Sequence, residues 1–168
     1  MKAWSVVLLL GLILTFCACA VKEPVQMECV TDTLPADLTP TFYLQAEIPQ
    51  EAALVTSAQD GQLAVFEHED YEVLEEVFSA ASLDEALVHL TGLTQKQLQP
   101  LVLSSYPQRE YRFSWAAAGE LGTLSCSGVL LFDGTHYYAL TVQCPTEKEK
   151  EYRETFSALL SGVSLRAV

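Results

Sequence analysis

Apolar and polar residues alternate along several stretches of the chain. A period of two predicts β-strands, because alternate side chains then lie on the same face. The first such stretch is 42–48, where every even position is apolar before Pro49. Another is Arg109–Ala117, where three aromatic residues occupy alternate positions. Both stretches therefore predict half-buried strands.

Two Asp-Gly pairs each separate two apolar runs, and this arrangement predicts two β-hairpins. The pairs are Asp60-Gly61 and Asp133-Gly134. The flanking runs are Ala53–Gln59 and Gln62–Glu67 for the first pair, and Thr123–Phe132 and Thr135–Cys144 for the second. Asp-Gly favours the two-residue turns that join antiparallel strands. The chain is therefore expected to form an antiparallel sheet.

Two capping boxes mark the beginnings of two predicted helices. The first is Ser82–Glu85, and Gly92 is placed to end that helix. The second is Thr146–Glu149, which precedes an apolar stripe at helical spacing. The stripe consists of Tyr152, Phe156, Leu159, Leu160 and Val163. A stripe of this size predicts that the closing helix packs on a sheet.

The stretch Tyr71–Ser79 fits two patterns equally well. Val73, Leu74 and Val77 have helical spacing, and the neighbouring glutamates favour a helix. Tyr71, Val73 and Val77 also share one face of a strand. The residues alone leave both a helix and a strand open.

The part of the chain from Thr41 to the C-terminus is similar to the PsbP/DcrB-like family of small extracytoplasmic domains. Two segments carry the similarity, YEVLEEVFSAASLDEAL and HYYALTVQCPTEKEKEYRETFSALLSGV. The resemblance implies an antiparallel sheet flanked by helices, with Tyr71–Ser79 as a strand, and it implies no chemistry. We therefore predict an α+β fold, in which an antiparallel sheet of about 6–8 strands carries two main helices, the last of them C-terminal.

The N-terminal residues MKAWSVVLLLGLILTFCACA are typical of a secretory signal. Lys2 gives a positive start and Val6–Leu14 is apolar. Ala18-Cys19 resembles the cleavage step of a bacterial lipoprotein signal, although Phe16 stands where such signals usually have Leu, Val or Ile. The resemblance implies that Cys19 is the lipidated N-terminus of the mature chain and anchors it to the membrane.

Two other fates of this leader stay open. Ala18–Ala20 is an A-x-A site, at which cleavage would secrete the protein without a lipid. Ala3–Val21 is uncharged and close to the ~20 residues that span a bilayer, so it would serve as an uncleaved anchor. If the chain is a lipoprotein, residues 1–18 are the signal peptide, 19–40 a proline-containing tether and 41–168 a single α+β domain.

The chain is strongly acidic, with 9 basic and 22 acidic residues and a net charge of −13. Such a surface disfavours nucleic acid, because that binding depends on neutralising phosphates with Lys and Arg. Anionic lipid headgroups also repel it, so a membrane tether has to be hydrophobic. We therefore expect no nucleic-acid partner, and contact with the membrane through the N-terminal lipid. The acidity fits either general solubility or a cationic ligand or partner.

Cys126 and Cys144 lie on the predicted strands of the second hairpin. A two-residue loop there pairs Cys126 with Thr141, which places the two thiols on opposite faces and forbids a disulfide. A three-residue loop or a bulge would permit one. His136 and Cys144 would lie about 26 Å apart along one strand, too far for a thiol and a base to act together. We therefore predict no catalytic residue among them.

Two further groups of residues suggest a site but also have a simpler explanation. The first group could bind a metal ion such as Ca²⁺ or form a solvated turn, and consists of four carboxylates and one histidine: Glu67, His68, Glu69, Asp70 and Glu72. Aromatic residues that could line a groove, or fill the core, are Tyr111, Phe113, Trp115, Tyr137 and Tyr138. Neither group has the spacing of a known site, so we predict no metal and no cofactor.

These observations predict a non-catalytic, membrane-tethered extracytoplasmic lipoprotein domain that acts by binding a ligand or a protein. The alternative is a secreted or anchored cell-envelope hydrolase with a site that the sequence does not reveal. A third role, in assembling an envelope complex, would be favoured if the closing helix left one sheet face uncovered.

Overall fold

The computed structural model describes residues 40–58, 61–105 and 108–168, with the backbone alone described at Ser104, Ser105 and Gln108. The predicted signal peptide lies outside the described residues, as do Cys19 and the tether up to residue 39. Asp60, in the first predicted turn, lies outside them too.

Among these residues the chain forms nine strands and three α-helices, and the fold is α+β as predicted. The strands are β1 Phe42–Gln45, β2 Ala53–Ser57, β3 Leu63–Glu67, β4 Glu72–Phe78, β5 Leu101–Ser105, β6 Gln108–Gly119, β7 Gly122–Phe132, β8 Tyr137–Pro145 and β9 Ser164–Ala167. The helices are α1 Leu83–Thr91, α2 Gln95–Leu98 and α3 Glu149–Ser161, and a 3₁₀ turn at Thr146–Lys148 precedes α3.

Seven of the strands form one antiparallel sheet in the order β2-β3-β4-β8-β7-β6-β5. β4 therefore lies inside the sheet between β3 and β8. Most of the stretch Tyr71–Ser79 is thus a strand, Glu72–Phe78, as the family resemblance implies. β2 and β3 pair antiparallel around Asp60-Gly61, which confirms the first hairpin. The resulting sheet has β2 at one edge and β5 at the other.

Helices cover both faces of this sheet. We call the two sides the α3 face and the α1 face, after the helix that packs on each. Buried sheet residues of the α3 face are Val73, Val129, Leu131, Leu140 and Val142, and α3 adds Phe156, Leu159 and Leu160. Buried residues of the α1 face are Phe78, Tyr111, Leu130 and Ala139, and α1 adds Ala86 and Leu87. The predicted docking of the closing helix is confirmed.

β1 and β9 form a separate two-stranded ribbon, in which Phe42 pairs with Ala167 and Leu44 with Leu165. The ribbon packs on the α3 face through Phe42, Leu44 and Leu165. The alternation over 42–48 correctly predicts a strand, but pairing stops at Gln45 and the partner is β9 rather than the main sheet. Alternation reports which side chains are buried, and it does not identify the partner strand.

Of the two predicted capping boxes, the first forms in part. Ser82 Oγ accepts a hydrogen bond from the Glu85 backbone N–H at 3.2 Å, but the Glu85 carboxylate accepts from the Ala81 backbone N–H at 2.7 Å instead of from Ser82. α1 ends at Gly92 with φ +72°. Thr146 does not cap α3, because its hydroxyl donates to the Thr123 carbonyl oxygen at 2.9 Å. The chain therefore makes a 3₁₀ turn first, and α3 begins at Glu149.

The loop of the second hairpin is longer than predicted. Phe132 pairs with Tyr137, so the loop is Asp133–His136 rather than the Asp133-Gly134 pair alone. Asp133 Oδ1 accepts hydrogen bonds from the backbone N–H of Thr135 and of His136, both at 2.7 Å, and these bonds close the wider turn.

The longer loop shifts the pairing of the two cysteines without changing their faces. Cys126 pairs with Gln143 instead of Thr141, and Cys144 pairs with Ser125. A shift of two residues leaves each side chain on the same face of a sheet. The two cysteines accordingly lie on opposite faces, buried and unbridged.

Candidate functional site

α3 leaves part of the α3 face uncovered. The helix packs on β7 and β8, whereas β5 and β6 extend beyond it. We call this uncovered part the open half-face, and define it by Leu101, Leu103, Arg112 and Ser114. The register places these four side chains on the side of the sheet where α3 lies. Leu101 is 61% exposed.

A groove of about 500 Å³ runs between the open half-face and α3. Arg112 and Ser114 line one wall, and Ser157 and Leu160 of α3 line the other. Arg112 Nε donates to Glu110 Oε1 at 2.6 Å. The groove is therefore polar along its sheet wall and apolar at Leu101. Such a mixed, open surface resembles a site for a protein segment more than an enclosed small-molecule pocket.

β5 forms the sheet edge beside this groove. Its pairing with β6 runs in continuous register from Leu101 with Arg112 to Ser105 with Gln108. Val102 is 51% exposed on the α1 face, so both faces of β5 present apolar side chains to solvent. An apolar edge strand in regular register is a template for pairing with another chain.

β2, at the opposite edge of the sheet, pairs with its neighbour less regularly than β5 does. Like β5, it exposes apolar side chains, with Leu54 at 56% and Val55 at 49%. However, its register with β3 shifts between Leu54 and Thr56. Such a bulge bends an edge and disfavours further pairing, so β5 is the better docking strand of the two.

Charge is distributed unevenly along the chain. Residues 40–79, which include β1 to β4, contain nine acidic residues and no Lys or Arg. Residues 92–119, which include β5 and β6, contain Lys96, Arg109 and Arg112 against the single acid Glu110. The β5 side of an acidic molecule therefore carries a local excess of positive charge.

A second groove lies on the α3 face, between the β1–β9 ribbon and strands β3 and β4. We call it the ribbon groove. Its volume is about 430 Å³, and its walls include Phe42, Leu44, Ala64 and Val77. Glu75 also lines it, and burial raises the pKa of this carboxyl group. Among the residues that the structure describes, none hydrogen-bonds to Glu75 or forms an ion pair with it.

The cysteines have the environment of core residues. Cys126 and Cys144 are each 1% exposed. Burial raises the pKa of Cys126 to about 11, and it raises the pKa of Cys144 as well. His136 lies in the loop before β8, whereas Cys144 lies near the other end of that strand. The buried thiols stay protonated near neutral pH, so they are poorly suited to nucleophilic catalysis.

The acidic residues around the β3–β4 turn do not converge on one point. Asp70 contacts Lys148 Nζ and the Tyr152 hydroxyl, each at 3.0 Å, and Lys148 lowers the pKa of Asp70. Glu72 accepts a hydrogen bond from Gln143 at 3.1 Å. Within the described ranges, no three His, Cys, Asp or Glu side chains are arranged to hold a metal ion.

Most of the predicted aromatic group belongs to the core. Tyr111, Phe113 and Tyr137 are buried on the α1 face, and Trp115 packs against them. Tyr138 is buried on the α3 face, and its hydroxyl donates to Asp133 Oδ2 at 2.8 Å. These side chains stabilise the sheet and do not line a common groove.

The sequence analysis did not single out Glu75 or β5. A signal for Glu75 exists, because its position shares a strand face with Val73 and Val77 and is therefore an inward position. β5 is a short strand of mixed polarity, and nothing in its sequence distinguishes an edge strand from an interior one.

No helix among the described residues is long and apolar enough to cross a membrane.

Comparison with known proteins places the fold. Neither a protein-family model nor a curated protein sequence matches the chain. LpqN of Mycobacterium tuberculosis, a protein involved in cell envelope biogenesis, has a similar structure with TM-score 0.51 and 4% identity, over 74% of this chain and 83% of LpqN.

The second similar structure is CyanoP, the cyanobacterial PsbP of Synechocystis sp. PCC 6803. It matches with TM-score 0.51 and 8% identity, over 75% of this chain and 93% of CyanoP. The chain has a PsbP-like fold. At such low identity the two likenesses concern the fold alone, and any function for this chain has to come from its own surface.

Proposed function

We propose that this protein is a lipid-anchored extracytoplasmic domain that acts by binding another protein and performs no catalysis itself. The lipoprotein-like leader with Ala18-Cys19 supports the lipid-anchored, extracytoplasmic location. The structural likeness to LpqN, a protein involved in cell envelope biogenesis, supports the same setting. The buried, protonated thiols support a binding role rather than cysteine catalysis.

The observation that carries the proposal is the β5 edge beside the open half-face. An extended segment of the partner adds to the sheet along β5, where backbone groups give affinity and alternate side chains meet the two faces. Leu101 contacts the partner on the α3 face, and Val102 contacts it on the α1 face. The groove beside α3 gives room for the side chains of the added strand.

The charges on this side of the molecule indicate the chemistry of the partner segment. Lys96 and Arg109 are exposed, and Arg112 lines the groove. Electrostatic complementarity favours partners of opposite charge and raises the association rate. The partner segment is therefore extended, with apolar residues at alternate positions and acidic residues near them.

A photo-crosslinking amino acid at Val102 tests this docking in intact producing cells. The matched control carries the same group at Leu54, which is similarly exposed on the opposite edge. The expected result is a discrete adduct from position 102, absent from position 54, whose mass-spectrometric map identifies an extended acidic segment of another protein. A second substitution, Leu101→Asp, should abolish this adduct without lowering the melting temperature.

Three outcomes would contradict the proposal. They are an adduct between two copies of this chain, equal adducts from positions 102 and 54, and no adduct at position 102. Adducts between copies would instead indicate that β5 makes a homodimer.

The anchor is tested separately by metabolic labelling with a palmitate analogue. Labelling is expected in the natural sequence and in Cys17→Ala, and it should be lost in Cys19→Ala. Loss of label in Cys17→Ala alone would show that Cys17 is the lipidated residue. Absence of label from the natural sequence would favour secretion after Ala20 or an uncleaved anchor.

A further inference from the structure

Glu75 occupies a position where the surrounding pattern requires an apolar residue. Its neighbours on the same strand face, Val73 and Val77, belong to or pack against the core. Across the strand pair it lies opposite Leu140, which is fully buried, and on the other side opposite Ala64. A carboxylate without a partner at such a position costs stability. Departures of this kind from a consistent pattern are expected at functional sites.

The groups around Glu75 leave its charge uncompensated within the described residues. β1 to β4 contribute no Lys or Arg. Glu76 also borders the groove, but its carboxylate lies on the α1 face and pairs with His89 at 2.6 Å. Arg166 of β9 pairs with Tyr43, which lines the groove, but Arg166 itself is not among the residues that line it. The ribbon groove is therefore a cleft with largely apolar walls, into which Glu75 contributes a carboxylate.

We propose that the ribbon groove binds a small organic monocation, whose ammonium group pairs with Glu75 and whose hydrocarbon part lies against Phe42, Leu44 and Val77. The volume of about 430 Å³ falls within the range of small-molecule sites. Phe42 adds an aromatic ring that can attract a cation. Glu75 gives charge complementarity, and the apolar walls favour an organic body over a hydrated metal ion, which prefers six or more oxygen ligands.

This inference is independent of docking at β5, since the two sites lie at opposite ends of the sheet. To test it, the full chain is titrated at pH 8 with hexylammonium, 1-hexanol, hexanoate or Ca²⁺, and binding is measured by calorimetry. Hexylammonium is expected to bind, and hexanol and hexanoate at least about tenfold more weakly. Ca²⁺ should give no heat that depends on Glu75.

Three variants locate the binding. Glu75→Gln keeps the shape of the side chain and should weaken hexylammonium binding by about tenfold or more, the loss expected for a charged contact. Ala64→Leu fills the groove while retaining the carboxylate, and it should also weaken binding. Glu67→Gln removes the same charge from an exposed position of β3 and should leave binding unchanged.

Equal binding of hexanol and hexylammonium would overturn the proposal and leave an apolar groove only. Equal binding by Glu75→Gln and the natural sequence would place the cation elsewhere on the acidic surface. Ca²⁺ competing with hexylammonium in the natural sequence, but not in Glu75→Gln, would assign a metal to the site. Absence of hexylammonium binding to a chain that circular dichroism shows to be folded would also refute the proposed monocation site.

Discussion

At the scale of single residues, Asp133 organises the loop between β7 and β8. Its carboxylate accepts three hydrogen bonds, from the backbone N–H of Thr135 and His136 and from the Tyr138 hydroxyl. Burial alone would raise the pKa of Asp133, but these donors outweigh it and lower the pKa below the usual value. One side chain therefore fixes the loop length and satisfies a hydroxyl in the core.

Asp133→Ala is expected to lower the free energy of unfolding by about 2–3 kcal/mol, because a charged acceptor is lost and the Tyr138 hydroxyl loses the group to which it donates. Urea unfolding at pH 7 measures the change, with Glu120→Ala in the β6–β7 turn as the control. The lowered pKa adds a pH dependence. The contribution of Asp133 is fully present above the unfolded pKa of about 4 and is lost as the pH falls through the folded pKa. A loss that stayed constant from pH 7 to pH 3 would contradict this account.

Glu75 has the opposite effect on stability. Because burial raises its pKa, the native state binds the proton more tightly than the unfolded state does. Its stabilising contribution is full below the unfolded pKa of about 4.3 and is lost as the pH rises through the folded pKa. Glu75→Gln should therefore raise the melting temperature at pH 8, and the difference from the natural sequence should fade near pH 4. As the control, Glu67→Gln should raise the melting temperature at pH 8 by less. A lower melting temperature for Glu75→Gln at pH 8 would contradict this account and show that a partner stabilises the carboxylate.

At the scale of elements, α3 closes the α3 face over β8 and β7. Phe156 is 8% exposed and contacts the Tyr71 ring at a centroid distance of 5.4 Å. Phe156→Ala is expected to cost about 3–5 kcal/mol, the usual range for removing a buried aromatic ring. Chemical denaturation measures it, with Glu154→Ala on the exposed side of α3 as the control. A loss below about 1 kcal/mol would mean that α3 is not firmly docked.

The elements also show where sequence reasoning succeeds and where it stops. Local signals located α1, through Ser82 and Gly92, and the hairpin strands around the Asp-Gly pairs. β9 was missed because four residues carry little pattern, and their pairing with β1 joins residues more than a hundred positions apart. The second hairpin loop was misjudged because the Asp133 side chain, rather than the backbone alone, sets its length. Glu75 was visible as an inward acid, but its significance depends on the ribbon that folds over it.

At the scale of the whole molecule, the dominant property is an excess of negative charge concentrated in one part of the chain. Residues 40–79 have nine acidic residues and no Lys or Arg, and the net charge of the full chain is −13. Repulsion among these carboxylates opposes the compact state, whereas the ion pair between Lys148 and Asp70 relieves it at one point. The β3–β4 region is held to α3 partly through that pair and through the Tyr152 hydroxyl.

Salt should therefore stabilise this protein. Raising the NaCl concentration from 10 to 300 mM shortens the screening length from about 30 Å to well below 10 Å, which weakens repulsion between exposed carboxylates. The melting temperature at pH 7 is expected to rise, and Glu67→Lys should raise it at low salt with a benefit that disappears at high salt. Glu154→Lys on α3, close in sequence to Lys148, Lys150 and Arg153, should give a smaller gain. A melting temperature that falls with added NaCl would show that attraction within pairs such as Lys148–Asp70 outweighs the repulsion, because screening weakens both and the larger of the two determines the sign.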